Sequence, residues 1–318
     1  MSERFGLRLA MMLTLPPLLW GGNAVAGRMV VGDIAPVHLN LLRWALALAM
    51  LLPLGWRAFA SAASRQQLRE RWAYLAALGL LGVGVYNSMQ YLALRTSTPV
   101  NVTLIAASTP IWMLVFGALF FGQRPRLREI AGALLSLLGV ATVMVHGDWH
   151  ALARVQFVPG DLLMLVAAAC WAGYSWLLAR PPRSMRGGER PDWSWAEFLC
   201  IQMAFGTLWA GLGAGLEHAA RPGETLVRLT PLGIAALLYV AIGPSIIAYR
   251  MWGLGVQRGG PALAGLFGNL QSVFAALLSA PLLGEWPHLY HGAALALIVA
   301  GIWVSTTRPA APSPVKTP

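Results

Sequence analysis

Polar and aromatic side chains recur at helical spacing inside segments that are otherwise apolar. The clearest stripe consists of Tyr86, Asn87, Gln90 and Tyr91. These residues fall at positions i, i+1, i+4 and i+5, so a helix would present them on one face. Amide groups donate and accept hydrogen bonds, and aromatic rings offer flat apolar faces. Such groups indicate non-covalent binding of a small molecule and not attack on a bond.

Three further segments carry similar groups within one or two helical turns. They are Trp20 with Asn23, Trp171 with Tyr174 and Ser175, and Ser245 with Tyr249 and Trp252. We predict that all four segments line one aromatic and amide cavity. For each Asn, Gln or Ser the alternative is a hydrogen bond between neighbouring helices, worth about 0.6 kcal/mol in hydrocarbon surroundings. For the Trp and Tyr rings the alternative is packing or an interfacial belt.

Two arginines stand within or beside these apolar segments. Arg43 lies about eight residues into its segment, roughly 12 Å deep at the rise of a helix. No Asp or Glu occurs in the apolar part of any long segment. Arg43 therefore either ties helix ends together through its five donors or attracts a carboxylate. Arg250 follows Tyr249 and lies nearer a segment end. We predict that Arg250 sets the affinity for a carboxylate and that Arg43 supports folding.

The remaining candidate residues give little support for catalysis. His288 and His291 are spaced to touch one metal ion, but two ligands without a third do not make a site. Cys170 and Cys200 fall in separate apolar segments, where a thiol packs as a small apolar group. The sequence contains no Walker loop, dinucleotide fingerprint or haem motif. We expect no catalytic residue, no metal and no cofactor.

Long apolar segments must position the candidate residues. Hydrophobic residues make up 57% of the chain and charged residues 11%, with a mean hydropathy of +0.62. A soluble domain usually has about 25% charged residues. Ten segments are long enough to cross roughly 30 Å of hydrocarbon as helices. The first runs from about Leu7 to Met29, and the others lie near 36–56, 72–94, 99–121, 128–146, 160–179, 194–216, 230–253, 261–283 and 287–306. The sequence predicts an all-α integral membrane protein.

The chain also contains an internal duplication. Four matched pairs of residues are separated by 162 positions: Pro99 and Pro261, Gly122 and Gly284, Pro125 and Pro287, and Gly139 and Gly301. Each half, 7–146 and 160–306, holds five of the ten transmembrane helices. Because five is odd, the two halves enter the membrane in opposite directions. Such inverted repeats build carriers with a site near the bilayer midplane. The proline-rich tail, 309–318, is predicted to be disordered.

The basic residues predict the orientation. A net charge of +11 would suit nucleic acid, but the arginines lie in short loops between apolar segments, so we expect no nucleic-acid partner. With the N-terminus in the cytoplasm, 17 Arg and Lys lie on the cytoplasmic side and five lie outside. The matched turns 123–128 and 285–290 carry three arginines and none. We predict a multi-pass protein of the cell inner membrane with both termini in the cytoplasm.

Motifs in both halves resemble the EamA family of the drug/metabolite transporter superfamily. The first half has Tyr91-Leu-Ala-Leu, Pro99, Ser108-Thr109-Pro110, Gly132 and Gly139, and the second has Ala248-Tyr249, Trp252 and Leu283-Gly284-Glu285. Arg43 matches an arginine of that family, and the resemblance covers about residues 7–306. It implies ten helices around a central cavity and, most often, export of amino acids or related metabolites. Gln123, Gln271-Ser272 and Arg250 depart from the family pattern.

The sequence therefore predicts a secondary transporter and not an enzyme. The expected cargo is a small polar metabolite, with amino acids or amino-acid-like compounds as the leading candidates, moved by alternating access. Two alternatives stay open: a carrier of the same fold for a nucleotide precursor, polyamine or drug, and a membrane-embedded enzyme that modifies lipid. The expected partners are a small-molecule substrate and the lipid bilayer, and both a monomer and a homodimer stay open. The predicted cavity residues are Trp20, Asn23, Arg43, Tyr86, Asn87, Gln90, Tyr91, Trp171, Tyr174, Tyr249, Arg250 and Trp252.

Overall fold

The computed structural model describes residues 6–30, 32–93, 96–97, 99–154, 156–284 and 286–307, and most of these residues are helical. Within these residues, ten spans follow one another. They are α1 (Leu7–Met29), α2 (Pro36–Gly55), α3 (Trp72–Leu78, Gly79–Val85 and Tyr86–Ala93), α4 (Pro99–Ala107 and Thr109–Phe121), α5 (Leu127–Met144), α6 (Pro159–Ala179), α7 (Trp195–Ala220), α8 (Pro231–Val240, Ala241–Ile247 and Ala248–Gly259), α9 (Pro261–Gly268 and Leu270–Leu283) and α10 (Leu289–Thr306). The predicted tail at 309–318 lies outside the described residues.

The helices have the lengths that the apolar runs predict. Within the described residues, nine helices are long and apolar enough to cross a membrane, and the two parts of α4, which meet at 42°, make a tenth span. Short helices at Arg57–Ala60 and Ala62–Glu70 connect α2 to α3. The predicted all-α fold with ten spans is confirmed. The main difference is α8, which continues to Gly259, beyond the predicted end at 253.

Local sequence signals explain where several spans begin and end. The Ser194 hydroxyl accepts from the backbone N–H of Glu197, and the Glu197 carboxylate accepts from the Ser194 backbone N–H, so this capping box begins α7. Gly122 and Gly284 end α4 and α9 with φ of 63° and 73°, a left-handed conformation that glycine adopts without a steric cost. These two glycines are 162 positions apart, so the duplicated turn has a duplicated geometry.

The two repeats meet closely where α5 packs against α10. A Cβ placed on Gly132 would lie 2.5 Å from the carbonyl oxygen of Gly301, and one on Gly139 would lie 2.8 Å from that of Ala294. Gly132 corresponds to Ala294 and Gly139 to Gly301 at the 162-residue spacing. The two contacts are therefore equivalent across a pseudo-two-fold axis. Glycine is needed because no larger side chain fits between these backbones.

Two matched segments in the middle of α3 and α8 adopt π-helical geometry. They are Gly79–Val85 and Ala241–Ile247, again 162 positions apart. A π-helical turn disturbs the regular backbone ladder and is frequent at functional sites. The Gly82 carbonyl accepts a hydrogen bond from the Tyr249 hydroxyl, and its repeat equivalent, the Pro244 carbonyl, accepts from the indole N–H of Trp20 at 3.1 Å. Both bonds join one repeat to the other.

Candidate functional site

A cavity of about 210 Å³ lies between the two repeats. It is smaller than the roughly 300–1,000 Å³ of pockets for drug-sized ligands, so its size suits a small metabolite. Its walls come from α1 to α6, α8 and α9. Nine of the twelve predicted residues line it: Trp20, Asn23, Arg43, Tyr86, Asn87, Gln90, Trp171, Tyr249 and Trp252. Their part in binding a substrate stays a prediction.

Aromatic rings from α1, α3, α6 and α8 form one wall of the cavity. The Trp171 ring is central, with ring centroids at 5.2 Å for Trp20, 4.9 Å for Tyr86, 5.6 Å for Tyr249 and 5.4 Å for Trp252. Trp20 and Trp171 occupy matching places in α1 and α6 and meet edge to face at 84°. Ring pairs at these distances are mutually stabilising. We call these five residues the aromatic wall, and its surface suits a flat apolar group.

Part of the lining is polar. Asn23, Gln90 and Gln271 bring amide groups to the cavity. The Asn87 amide and the Asn40 amide both donate to the Val83 carbonyl at 3.4 Å, within the π-helical segment of α3. Amides both donate and accept, so this part of the cavity can hydrogen-bond a polar group of either kind.

Asn269 is a cavity residue that the sequence patterns did not single out. Its amide donates to the Ala107 carbonyl at 3.2 Å and to the Ser136 hydroxyl at 2.9 Å. Asn269 and Ala107 are repeat equivalents, so this bond crosses the pseudo-two-fold axis at the bend of α4. The available signal was a lone asparagine in the apolar run 261–283. The bend of α4, which brings the Ala107 carbonyl to Asn269, belongs to the other repeat, so the periodicity of the run 261–283 does not reveal this contact.

Arg43 brings the cavity a positive charge. Arg43 is only 1% exposed. Its Nε donates to the Ser245 hydroxyl at 3.1 Å, and its guanidinium carbon lies 5.0 Å from the ring centroid of Trp44. Nη1 is buried and has no hydrogen-bond partner among the described residues. None of the described residues that line the cavity is Asp or Glu. The charge of Arg43 is therefore not neutralised by the cavity wall.

Comparison with known proteins decides the family. The sequence profile of the EamA-like transporter family matches residues 7–145 and again 158–307. The chain belongs to the EamA-like transporter family. The predicted resemblance is thus confirmed, and the double match agrees with the fold of two inverted repeats. The protein is accordingly a multi-pass membrane protein of a transporter family.

Individual EamA relatives cover nearly the whole chain. The aromatic amino acid exporter YddG of Ancylobacter novellus is 27% identical over 292 residues, which are 91% of this chain and 93% of that protein. An uncharacterized transporter of Archaeoglobus fulgidus is 24% identical over 298 residues, 94% of this chain and 97% of its own. A protein crystal structure matches with a TM-score of 0.72 and 26% identity, over 94% of this chain and 96% of that one.

Two predicted residues, Arg250 and Tyr174, are not among the described residues that line the cavity. Arg250 lies over the ring of Trp195 at the start of α7, with its guanidinium carbon 5.2 Å from the ring centroid. Tyr249 lines the cavity, and the next residue of a helix points about 100° away from it, which explains why Arg250 lies elsewhere. Tyr174 is buried behind the aromatic wall, where its hydroxyl bonds the Gln202 side chain at 3.2 Å. The side chain of Tyr91 lies outside the described part of the chain.

Two buried carboxylates lie near the ends of spans of this EamA protein, away from the cavity lining. Glu217, near the end of α7, accepts from the backbone N–H of His38 at 3.2 Å and lies 2.9 Å from its Nδ1. Asp161, in the first turn of α6, accepts from the Asn101 amide at 2.9 Å. Sequence reasoning missed both because it sought acids in the middle of spans. They tie helix ends together across the bundle.

Proposed function

We propose that the protein is an inner-membrane secondary transporter that exports amino acids, those with aromatic side chains above all, by alternating access. The observation that carries the proposal is the aromatic wall inside a cavity that both repeats build. A flat side chain can stack on these rings while the amide groups of the lining hydrogen-bond its polar end. The exporter YddG of Ancylobacter novellus supports this cargo, because its name specifies aromatic amino acids and it is similar along nearly the whole chain.

The contacts between the repeats suggest how the cavity opens. The backbone contacts of α5 with α10 form a rigid seam on the pseudo-two-fold axis. The bonds from Trp20 to Pro244 and from Tyr249 to Gly82 lie at the cavity and also cross between repeats. Rocking about the seam would strain these bonds and expose the cavity to one side at a time. A substrate stacked on Trp20 and Tyr249 would contact the two side chains that donate these bonds.

The distribution of basic residues supports an orientation with both termini in the cytoplasm. Export follows in this proposal if the cavity loads from that side. Because the described residues lining the cavity include no Asp or Glu, a carboxylate proton relay has no candidate there. Exchange or facilitated transport down the substrate gradient is therefore the proposed mode.

Counterflow in proteoliposomes tests the proposal. Vesicles preloaded with unlabelled phenylalanine should accumulate labelled phenylalanine transiently. Vesicles preloaded with uridine or spermidine should not accumulate the labelled form of the same compound. Trp171→Ala should abolish the accumulation because it removes the centre of the aromatic wall. Trp303→Ala is the matched control, since Trp303 is 67% exposed on the outer surface of α10. Counterflow with uridine or spermidine but with no aromatic amino acid would refute the proposed cargo.

A further inference from the structure

We infer that Arg43 forms a carboxylate subsite of the cavity, and that the site recognises the carboxylate of its cargo and not the ammonium group. It should therefore also bind aromatic acids that carry no amine, such as phenylpropionate. The inference rests on the proposed function and deepens it by naming the group that the polar end of the cavity selects.

Charge is the first reason. A guanidinium stays protonated in proteins, so Arg43 cannot escape burial by losing its charge. An unpaired buried charge carries a large desolvation cost, which an anion can offset. Arg43 takes part in no ion pair within the described part of the chain, where the recorded pairs belong to His38, Arg71, Arg183 and Arg221. A carboxylate entering the cavity would supply the missing counter-charge.

Geometry is the second reason. The Ser245 hydroxyl accepts from Nε of Arg43 and donates to the Val240 carbonyl at 2.9 Å, so its own proton is already committed. The Trp44 ring lies beside the guanidinium at 5.0 Å. These two contacts hold the planar group beside the cavity, and its buried Nη1 has no hydrogen-bond partner among the described residues. A guanidinium held in this way is preorganised for a carboxylate.

The position of this subsite relative to the aromatic wall is the third reason. The Trp44 ring centroid is 4.8 Å from that of Tyr249, a member of the wall. Arg43 and the wall are therefore neighbours that share one cavity. An aromatic acid can place its ring on the wall and its carboxylate on Arg43 at the same time.

The ammonium group of an amino acid has no comparable partner. Amide oxygens of Asn23, Gln90 or Gln271 and the ring faces can accept it, but these are weaker partners than a carboxylate. Repulsion from Arg43 further disfavours a free amine. Removing the ammonium should therefore matter less than removing the carboxylate. The expected order of affinity is phenylpropionate and phenylalanine first, then phenylalaninamide, and phenethylamine last.

Ligand binding to the purified full-length protein tests this order without any variant. The four compounds differ only in the two charged groups, and ligand-induced stabilisation reports their relative affinities. Phenylpropionate should compete with labelled phenylalanine, whereas phenethylamine should not. If phenethylamine competes as well as phenylpropionate, or phenylpropionate does not compete while phenylalanine binds, the inference is overturned and the proposed function stands. If none of the four compounds binds, the proposed function fails and the inference fails with it.

Variants then assign the charge to one residue. Arg43→Gln should weaken phenylpropionate and phenylalanine by about tenfold or more, the usual size of a lost bond to a charged group. Arg43→Lys should restore part of that loss, because lysine keeps the charge without the planar fork. Arg183→Gln is the control, because this arginine lies on an exposed loop. A loss of carboxylate affinity in Arg250→Gln with none in Arg43→Gln would contradict the inference.

Discussion

Replacing Gly301 by alanine tests whether the seam between α5 and α10 is as tight as the structure shows. An alanine Cβ would lie 2.5 Å from the Gly132 carbonyl oxygen and 3.1 Å from the Ser136 nitrogen. Ordinary van der Waals contact begins at 3.4 Å, so the helices would have to part by about 0.9 Å, the difference between 3.4 and 2.5. Both obstructing atoms belong to backbone, so no side chain can turn away. Overpacking of this kind costs about 1–3 kcal/mol.

Helix propensity works in the opposite direction, because alanine is better than glycine in a helix by up to about 1 kcal/mol. Gly301→Ala should therefore lower the free energy of unfolding, measured in mixed micelles with a denaturing detergent, by a net of up to about 2 kcal/mol. Gly292→Ala is the matched control on the same helix, since a Cβ there meets nothing within 4 Å. We expect that control to be neutral or stabilising. Equal stability of the two variants would refute the tight seam.

Three more predictions follow from individual contacts. His38→Ala should lower the free energy of unfolding by about 1–3 kcal/mol, because it removes the side-chain partner of a buried glutamate at the end of α7; unchanged unfolding would show that water replaces the imidazole. Trp20→Phe keeps a ring in the aromatic wall but loses the indole N–H that bonds the Pro244 carbonyl, so it should slow counterflow while binding persists. Cysteines in place of Arg126 and Trp286 should respectively resist and accept an impermeant thiol reagent in intact cells; the reverse labelling would invert the predicted topology.

The sequence predicts the architecture well because its signals are local and repeated. A span of about 20 apolar residues needs no tertiary information, and the 162-residue spacing of Pro99 with Pro261 relates the two halves directly. The π-helical segments of α3 and α8 also keep this spacing, yet no residue pattern predicted them. Donors from the other repeat bond carbonyls of these segments, as the Tyr249 hydroxyl does at Gly82, and such tertiary contacts leave no periodic signal in the sequence.

The cavity lining is predictable where helical phase is well marked. Tyr249 and Trp252 are three positions apart and share a face, and both line the cavity. The same phase turns Arg250 away, and its guanidinium lies over Trp195 instead. From the sequence, Arg250 was the stronger candidate for binding a carboxylate, because it departs from the family pattern. In the structure Arg43 is the stronger candidate, because it is buried and its Nη1 has no hydrogen-bond partner among the described residues. Tertiary packing decides which of the two arginines reaches the cavity, and the sequence pattern does not show it.

The most direct test of the account is a structure of the protein with bromophenylalanine, in which the anomalous signal of bromine locates the ligand. The account predicts the bromine-bearing ring against Trp171 and the carboxylate at Arg43, inside the cavity between the repeats. A ligand found instead in the apolar groove that Met29, Leu232 and Tyr239 line between α1, α8 and α9 would contradict it.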